Sequence, residues 1–518
     1  MEKRIAVVAA ACMLCGALTA QVSVPHTEAE DVKHVMSHAY WEQWNEKMQK
    51  EIDADIDKYR KADATVEIPG LKPGTTVHIE QTKHKFYFGA HIFNFNQLGS
   101  EEANARYREL YGTLFNSATV SFYWRVFEDR PGRLRFATEY WDTEEYWNDC
   151  ADPKYQFHWR RPSSDQVVDY LESRGCRIHG HPLIWGNRKW QHPDWIQEQL
   201  PQGEERKVLN RLMQEKATLK NYKDGDVFTS TYQKMSGQAL SDSLPEFAKA
   251  ITEQFRLRIE RIAKHYEGRI DSWDVVNEST VDYKQGLFKN PTPLCKSAYG
   301  IMPGDYVYDA FQTAEKSFPD KVWLNINDYD QGQGYADWAK ELLRRGCKID
   351  VLGSQMHLFN PQQCLDLADG KKSGPTPEQV KRVMGTLSQA GLPIHLSEIT
   401  ITAPNNDERG QMIQAILTRN LYRLWFSTEK MNGITWWNVV DDCGAPGEPS
   451  VSGIFSRDMQ PKPAFYALDE LINNEWKTVL DVQTTEKGRV SFRGFKGHYV
   501  ISWKDKKGRI KTQEIDVE

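Results

Sequence analysis

The chain has 518 residues, enough for one large domain with appendages or for three ordinary ones, and its 66 basic against 72 acidic side chains leave a formal charge of −6. With no basic surplus to neutralise phosphates, the composition argues against a nucleic-acid binder. Aromatic residues make up 12%, with 17 Trp, a density that raises the question of what the indoles stack on.

At the N-terminus Lys3 and Arg4 precede an apolar run from Ile5 to Leu18 and then Thr19-Ala20-Gln21. The run is too short to span a bilayer and has the build of a secretory signal peptide cleaved near Ala20, although Leu18 fits the small-residue rule imperfectly. Cys12 and Cys15 follow no lipid-attachment box, so a lipid anchor is not expected. The protein is therefore expected to be exported: secreted, periplasmic or on the cell surface. The remaining cysteines, Cys150, Cys176, Cys295, Cys347, Cys364 and Cys443, are widely spaced without a Cys-x-x-Cys pair, which argues against a zinc knuckle. Export permits disulfides, but the spacing does not pair them.

Residues 21–85 read as a helical stretch, Thr27–Lys61 with a thin stripe of Ile52, Ile56 and Tyr59, followed by two alternating segments, Ala64–Pro69 and Thr75–Gln81, around the turn Gly70–Gly74. These strands are expected to form a hairpin or a small sheet. Next come eight apolar segments: Phe86–Ile92, Ala118–Tyr123, Arg177–Ile184, Ile270–Val276, Val322–Ile326, Val351–Met356, Ile394–Ser397 and Gly433–Val439. Helical periodicity separates them at Ser164–Arg174, Pro245–Tyr266, Asp305–Phe318, Tyr335–Gly346, Pro377–Ala390 and Glu408–Ser427. Alternating strands and helices in this number predict an α/β fold, a closed (β/α)8 TIM barrel over 86–475.

Two loops are long. Glu139–Pro162, after strand two, holds Tyr140, Trp141, Tyr146, Trp147, Tyr155, Phe157 and Trp159. It is either a sugar-stacking loop or a local aromatic minicore. Gln197–Leu244, after strand three, is rich in Lys, Glu and Gln and reads as solvated elaboration. A last barrel helix, Ala464–Asn474, leads into a C-terminal β segment, 476–518, with strands at Arg489–Arg493, His498–Trp503 and Arg509–Val517. These are expected to join the N-terminal strands in one small accessory β module. A carbohydrate-binding role for this tail would rest on Phe492, Tyr499 and Trp503, which are more often a module's own core.

The chemistry is concentrated in Ser272–Ser279, a strand that ends on Asn277 and Glu278. Pro393–Ile399 has the same design and delivers Glu398. Barrel enzymes keep catalytic groups at the carboxyl ends of strands, and two such carboxylates about 5–5.5 Å apart are the apparatus of a retaining glycosidase. Glu278 is the candidate acid/base, Glu398 the candidate nucleophile, and Asn277 a partner for the sugar 2-hydroxyl. This chemistry calls for no cofactor and no metal. The rival arrangement, His179 and His181 as a metal pair with His357 and Asp441, leaves both glutamates unexplained. Asn94 and Asn96 stand at the right end of strand one to touch substrate. His34, His38, His84, Trp41 and Trp44 read as surface or packing residues.

Taken in order, these landmarks resemble glycoside hydrolase family 10, the endo-β-1,4-xylanase family of barrel enzymes. They are Gly180-His181-Pro182-Leu183-Ile184-Trp185, Trp273–Glu278, Asn327-Asp328-Tyr329, Gln355-Met356-His357, Ser397-Glu398-Ile399 and Ile434–Asp441. The resemblance runs from about Phe86 to Leu471. It implies Glu278 as acid/base and Glu398 as nucleophile, with His181, Trp185 and Asn277 beside the cleaved bond. Gln355 and His357 would support the nucleophile, and Trp437 would be a stacking platform. The implied partner is a polysaccharide, a xylan-type β-glycan, with no particular protein partner indicated. Departures are clear. The family's second strand ends in Thr-x-Glu-Asn-x-x-Lys-Trp, where this chain has Thr119-Val-Ser-Phe-Tyr-Trp-Arg-Val, and Gly186 replaces the usual His after Trp185. The glycone subsites are thus expected to be remodelled. Alternatives are a related β-glycan hydrolase of altered specificity and an inactive glycan-binding barrel, against which the presence of both carboxylates argues.

Overall fold

The computed structural model describes residues 22–187, 190–213, 228–372 and 374–518. The expected signal peptide and the middle of the long loop after strand three lie outside them. Eight parallel strands form the barrel: β1 Tyr87–His91, β2 Ser117–Ser121, β3 Arg177–His181 (resumed at Ile184–Trp185), β4 Ser272–Asn277, β5 Trp323–Asp328, β6 Val351–Leu358, β7 Ile394–Ile401 and β8 Met431–Trp436. Each pairs with the next, and β8 returns to β1, so the sheet closes without a free edge.

The barrel strands are buried, but β4 is not the continuous apolar run that its neighbours suggest. Trp273 faces the helices, packing on Phe122, Phe318 and Tyr266, while Ser272 and Asp274 turn into the barrel. There His179 bonds both Ser272 Oγ (2.8 Å) and Asp274 Oδ2 (2.9 Å), and His395 bonds Thr435 (2.8 Å). Polar groups inside a barrel are tolerated because they are paired with one another.

The helices Pro245–Tyr266 and Glu408–Ser427 span the expected residues. Helix Glu101–Leu114, between β1 and β2, is not among the expected elements. Ser100 caps it, and Tyr107, Leu110, Tyr111 and Leu114 give it one buried face. The N-terminal helix Glu46–Arg60 lies on the outside of the barrel, burying Ile52 and Ile56, and its Asp53 and Gln49 engage Arg423 of helix Glu408–Ser427. Trp41 and Trp44 are buried packing residues. The described part of the loop after β3 is not merely solvated elaboration: its helices Gly203–Leu212 and Gly237–Ser243 bury Leu209, Leu212 and Leu240.

The two N-terminal strands do not make a hairpin with each other. Lys61–Glu67 pairs antiparallel with Arg489–Phe495, whereas Thr76–His84 lies between Val479–Gln483 and Gly497–Lys504, with Ile510–Val517 outermost. Val66, Ile68, Val77 and Ile79 share a core with Val490, Phe492, Tyr499, Ile501 and Val517. Two sheets put both apolar faces inside, where a lone hairpin would leave one in water. Phe492 and Tyr499 belong to this core. Strand Val479–Gln483, largely exposed, carries no burial pattern by which its sequence could announce it.

Candidate active site

At the carboxyl ends of the barrel strands is a cavity of about 280 Å³. His181, Trp185, Asn277, Glu278, Gln355, His357, Glu398 and Trp437 all line it, so the residues singled out from the sequence converge. Asn94 and Asn96 do not join them: Asn96 accepts from Arg108 (2.6 Å), and Asn94 is buried outside the lining.

Glu278 follows β4 directly, in the left-handed region with φ 59°, a conformation that costs a non-glycine residue energy and that its surroundings must hold. Its backbone N–H donates to the Asn327 carbonyl of β5 (2.8 Å). Trp185 Nε1 (3.1 Å) and Tyr299 Oη (3.3 Å) donate to Glu278 Oε2, and Gln355 Nε2 (3.1 Å) donates to Oε1. Burial, and then the charge of Glu398, push the Glu278 carboxyl up to about 7.

Glu398 accepts from Asn327 Nδ2 (2.9 Å) and stands 3.4 Å from His357 Nε2 and 3.8 Å from His181 Nε2. Burial works against a charge on His181, but its bond to Asp274 (2.7 Å) and the nearby carboxylates outweigh it, so its pKa is raised. Asn277 Oδ1 accepts from both Asn327 (2.9 Å) and Gln355 (3.3 Å), an arrangement that fixes the amide and leaves Nδ2 free to donate. Three residues of the rival metal set have partners within the protein. His179 and His181 share Asp274 Oδ2, and Asp441 accepts from Lys462 (2.9 Å).

Several residues of the site escape sequence reasoning. Tyr299 sits at the tip of a hairpin after β4, Leu294–Ser297 with Gly300–Pro303. Asp282 anchors the hairpin by accepting from Ser297 Oγ (2.6 Å), Ala298 N (2.8 Å) and Tyr306 Oη (2.8 Å). Arg160 and Arg161 arrive from the aromatic loop, and Glu448 from the loop after β8. That aromatic loop is part minicore, with Trp147 and Trp159 buried about His158, and part exposed, with Tyr155 and Phe157 at 88% and 49%. The signal that could have exposed Tyr299 is Gly186, which is the residue that makes room for its ring.

Residues 80–235 and 232–471 match the model of glycosyl hydrolase family 10. Endo-1,4-beta-xylanase C of Paenibacillus barcinonensis is 23% identical over 375 residues, 66% of this chain and 29% of its own length. Endo-1,4-beta-xylanase A of Thermoanaerobacterium saccharolyticum is 25% identical over 339 residues, 62% and 23% of the two chains. The chain therefore spans less than a third of these relatives. Native xylanase 10B from Thermotoga maritima aligns over 76% of this chain and 96% of that one, at 18% identity and a TM-score of 0.49. With the family model covering β1 through the last barrel helix, the chain belongs to glycosyl hydrolase family 10.

Proposed function

We propose that the chain is a retaining, endo-acting hydrolase of β-1,4-xylosidic linkages in xylan or decorated xylan. The carrying observation is the pair of carboxyl groups in one cavity whose surroundings differ: Glu278 is held up to about 7, and Glu398 accepts from Asn327 with His357 and His181 nearby. A carboxyl group that keeps its proton beside one held by amide and imidazole neighbours divides the roles into an acid and a nucleophile. Glu398 attacks the anomeric carbon as Glu278 passes its proton to the departing glycosidic oxygen. Glu278, now ionised, takes a proton from the water that displaces Glu398 and restores both groups. Asn277 Nδ2 is placed to bond the sugar 2-hydroxyl, and Trp437 and Trp185 supply apolar walls. The names of the curated relatives support xylan as the substrate.

Glu278→Gln and Glu398→Gln should each abolish release of reducing sugar from xylan while keeping the far-UV circular dichroism of the wild type. Near-normal turnover by either variant overturns the assignment, and tight binding without hydrolysis by the wild type favours a glycan-binding barrel instead. Export is part of the same proposal. It predicts a mature N-terminus near Gln21, readable by sequencing the protein recovered from the producing cells.

A further inference from the structure

We propose that the cavity holds a subsite for a carboxylate on the glycan, a uronic-acid substituent of the xylan backbone, recognised by Arg161. This rests on the reading of the chain as a xylanase and deepens it.

Arg160 and Arg161 are only 3% and 8% exposed, and both line the cavity with Glu278 and Glu398. Arg160 is engaged: Nη2 donates to His91 Nε2 (3.1 Å) and Asn438 Oδ1 (3.2 Å), and Nη1 stands 3.7 Å from Glu448. Arg161 is different. Its guanidinium lies 3.8 Å from the centroid of the Tyr123 ring and 5.3 Å from that of Phe93, and Nη1 donates to the Arg160 carbonyl (2.7 Å). Among the described residues no carboxylate comes within salt-bridge distance of it.

The nearby counter-charges are taken. Glu448 accepts from Asn438 (2.9 Å) and Ala445 N (2.7 Å) beside Arg160, Asp142 pairs with Arg135 (3.1 Å), and Glu398 is bonded by Asn327. Arg135 and Arg160 add further positive charge around Arg161, and burial pushes its guanidinium down to about 10, still a cation at neutral pH. A buried, unpaired cation is costly. With its guanidinium over Tyr123 and Nη1 on the Arg160 carbonyl, Arg161 has donors left to offer, the fork that matches a carboxylate with two parallel hydrogen bonds. Unsubstituted xylan brings only hydroxyls to this position, whereas a uronic acid brings the missing charge.

The test compares kcat/KM on a xylo-oligosaccharide bearing a uronic acid with the same oligosaccharide after its carboxyl is reduced to the alcohol. The wild type should favour the acid by roughly tenfold, the scale of one charge-assisted hydrogen-bond pair. In Arg161→Met that ratio should fall to near one, and Arg161→Lys, which keeps the charge without the fork, should keep part of it. A wild-type ratio near one overturns the inference without touching the xylanase reading, and so does a preference that survives in Arg161→Met. Failure to cleave either oligosaccharide or plain xylan overturns the xylanase reading, and the inference with it.

Discussion

A Cβ on Gly186 would stand 2.7 Å from the Tyr299 ring, so the glycine after Trp185 is the opening through which that tyrosine reaches Glu278. Where the family's motif places a histidine on β3, this chain brings a phenol from a hairpin after β4. The phenol donates to Glu278, which favours the ionised form. Tyr299→Phe should therefore move the basic limb of the pH–rate profile upward by less than about one unit and lower kcat by roughly three- to tenfold. Gly186→Ala should cost more, because the displaced ring intrudes on the cavity. Steady-state kinetics across pH would check both.

The wild-type kcat/KM should fall as pH rises through about 7, where Glu278 loses the proton it has to donate. On an aryl glycoside whose leaving group needs no proton, kcat/KM of Glu278→Gln should show that limb gone.

The same group has a stability signature. Its folded-state pKa lies above the ordinary 4.5, so between 4.5 and about 7 the native protein binds more protons than the unfolded chain, and stability contributed by this site declines as pH rises through that window. Glu278→Gln should melt above the wild type at pH 8 and level with it at pH 4. Differential scanning calorimetry at the two pH values gives the answer, and equal differences at both contradict it.

Asp282 is buried and accepts from three donors around the hairpin tip. Asp282→Ala strands those donors and should cost on the order of 2–4 kcal/mol in denaturant unfolding. Activity should fall as in Tyr299→Phe or further, since the hairpin that aims the phenol loses its anchor. Asp282→Asn, which can still accept, should be milder on both counts.

Truncation after Glu475 removes every strand that pairs with Lys61–Glu67 and Thr76–His84. The variant should show new protease cleavage between residues 61 and 84 and a lowered melting temperature, read by limited proteolysis with mass analysis.

What the sequence made legible follows from how each signal is carried. The eight strands and the two glutamates are written in contiguous runs: an apolar segment that stops on Asn277-Glu278 or on Ser397-Glu398 states its own position at a strand end. The accessory module was visible in the alternation of its strands, though not their partners, because period two is silent on whether Val66 faces Val77 or Val490. Tyr299, Arg160, Arg161 and Glu448 were illegible for a different reason. They enter on insertions whose course is set by tertiary anchors such as Asp282, and neither periodicity nor spacing says where a loop tip lands. The missing polar groups of the second strand say what the chain lacks there and not what stands in their place. Helix Glu101–Leu114 carried both a cap and a stripe, and its signal was present to be read.

The accessory module joins Thr65 to Ser491, 426 residues apart in the chain. Contacts so distant in sequence are the slowest to form. During synthesis the strands Lys61–Glu67 and Thr76–His84 emerge before the barrel and wait, edges unpaired, until the strands from Val479 to Lys504 have followed. Thr76–His84 runs directly into β1, so the waiting strand is leashed to a barrel that can close without it. Its Glu80, Lys83 and His84 are the charged and polar side chains that keep an open edge from recruiting strangers. The module is thus completed only after the barrel has been made, and a chain released before Val479 would carry its two early strands unpaired, with those side chains as their only guard.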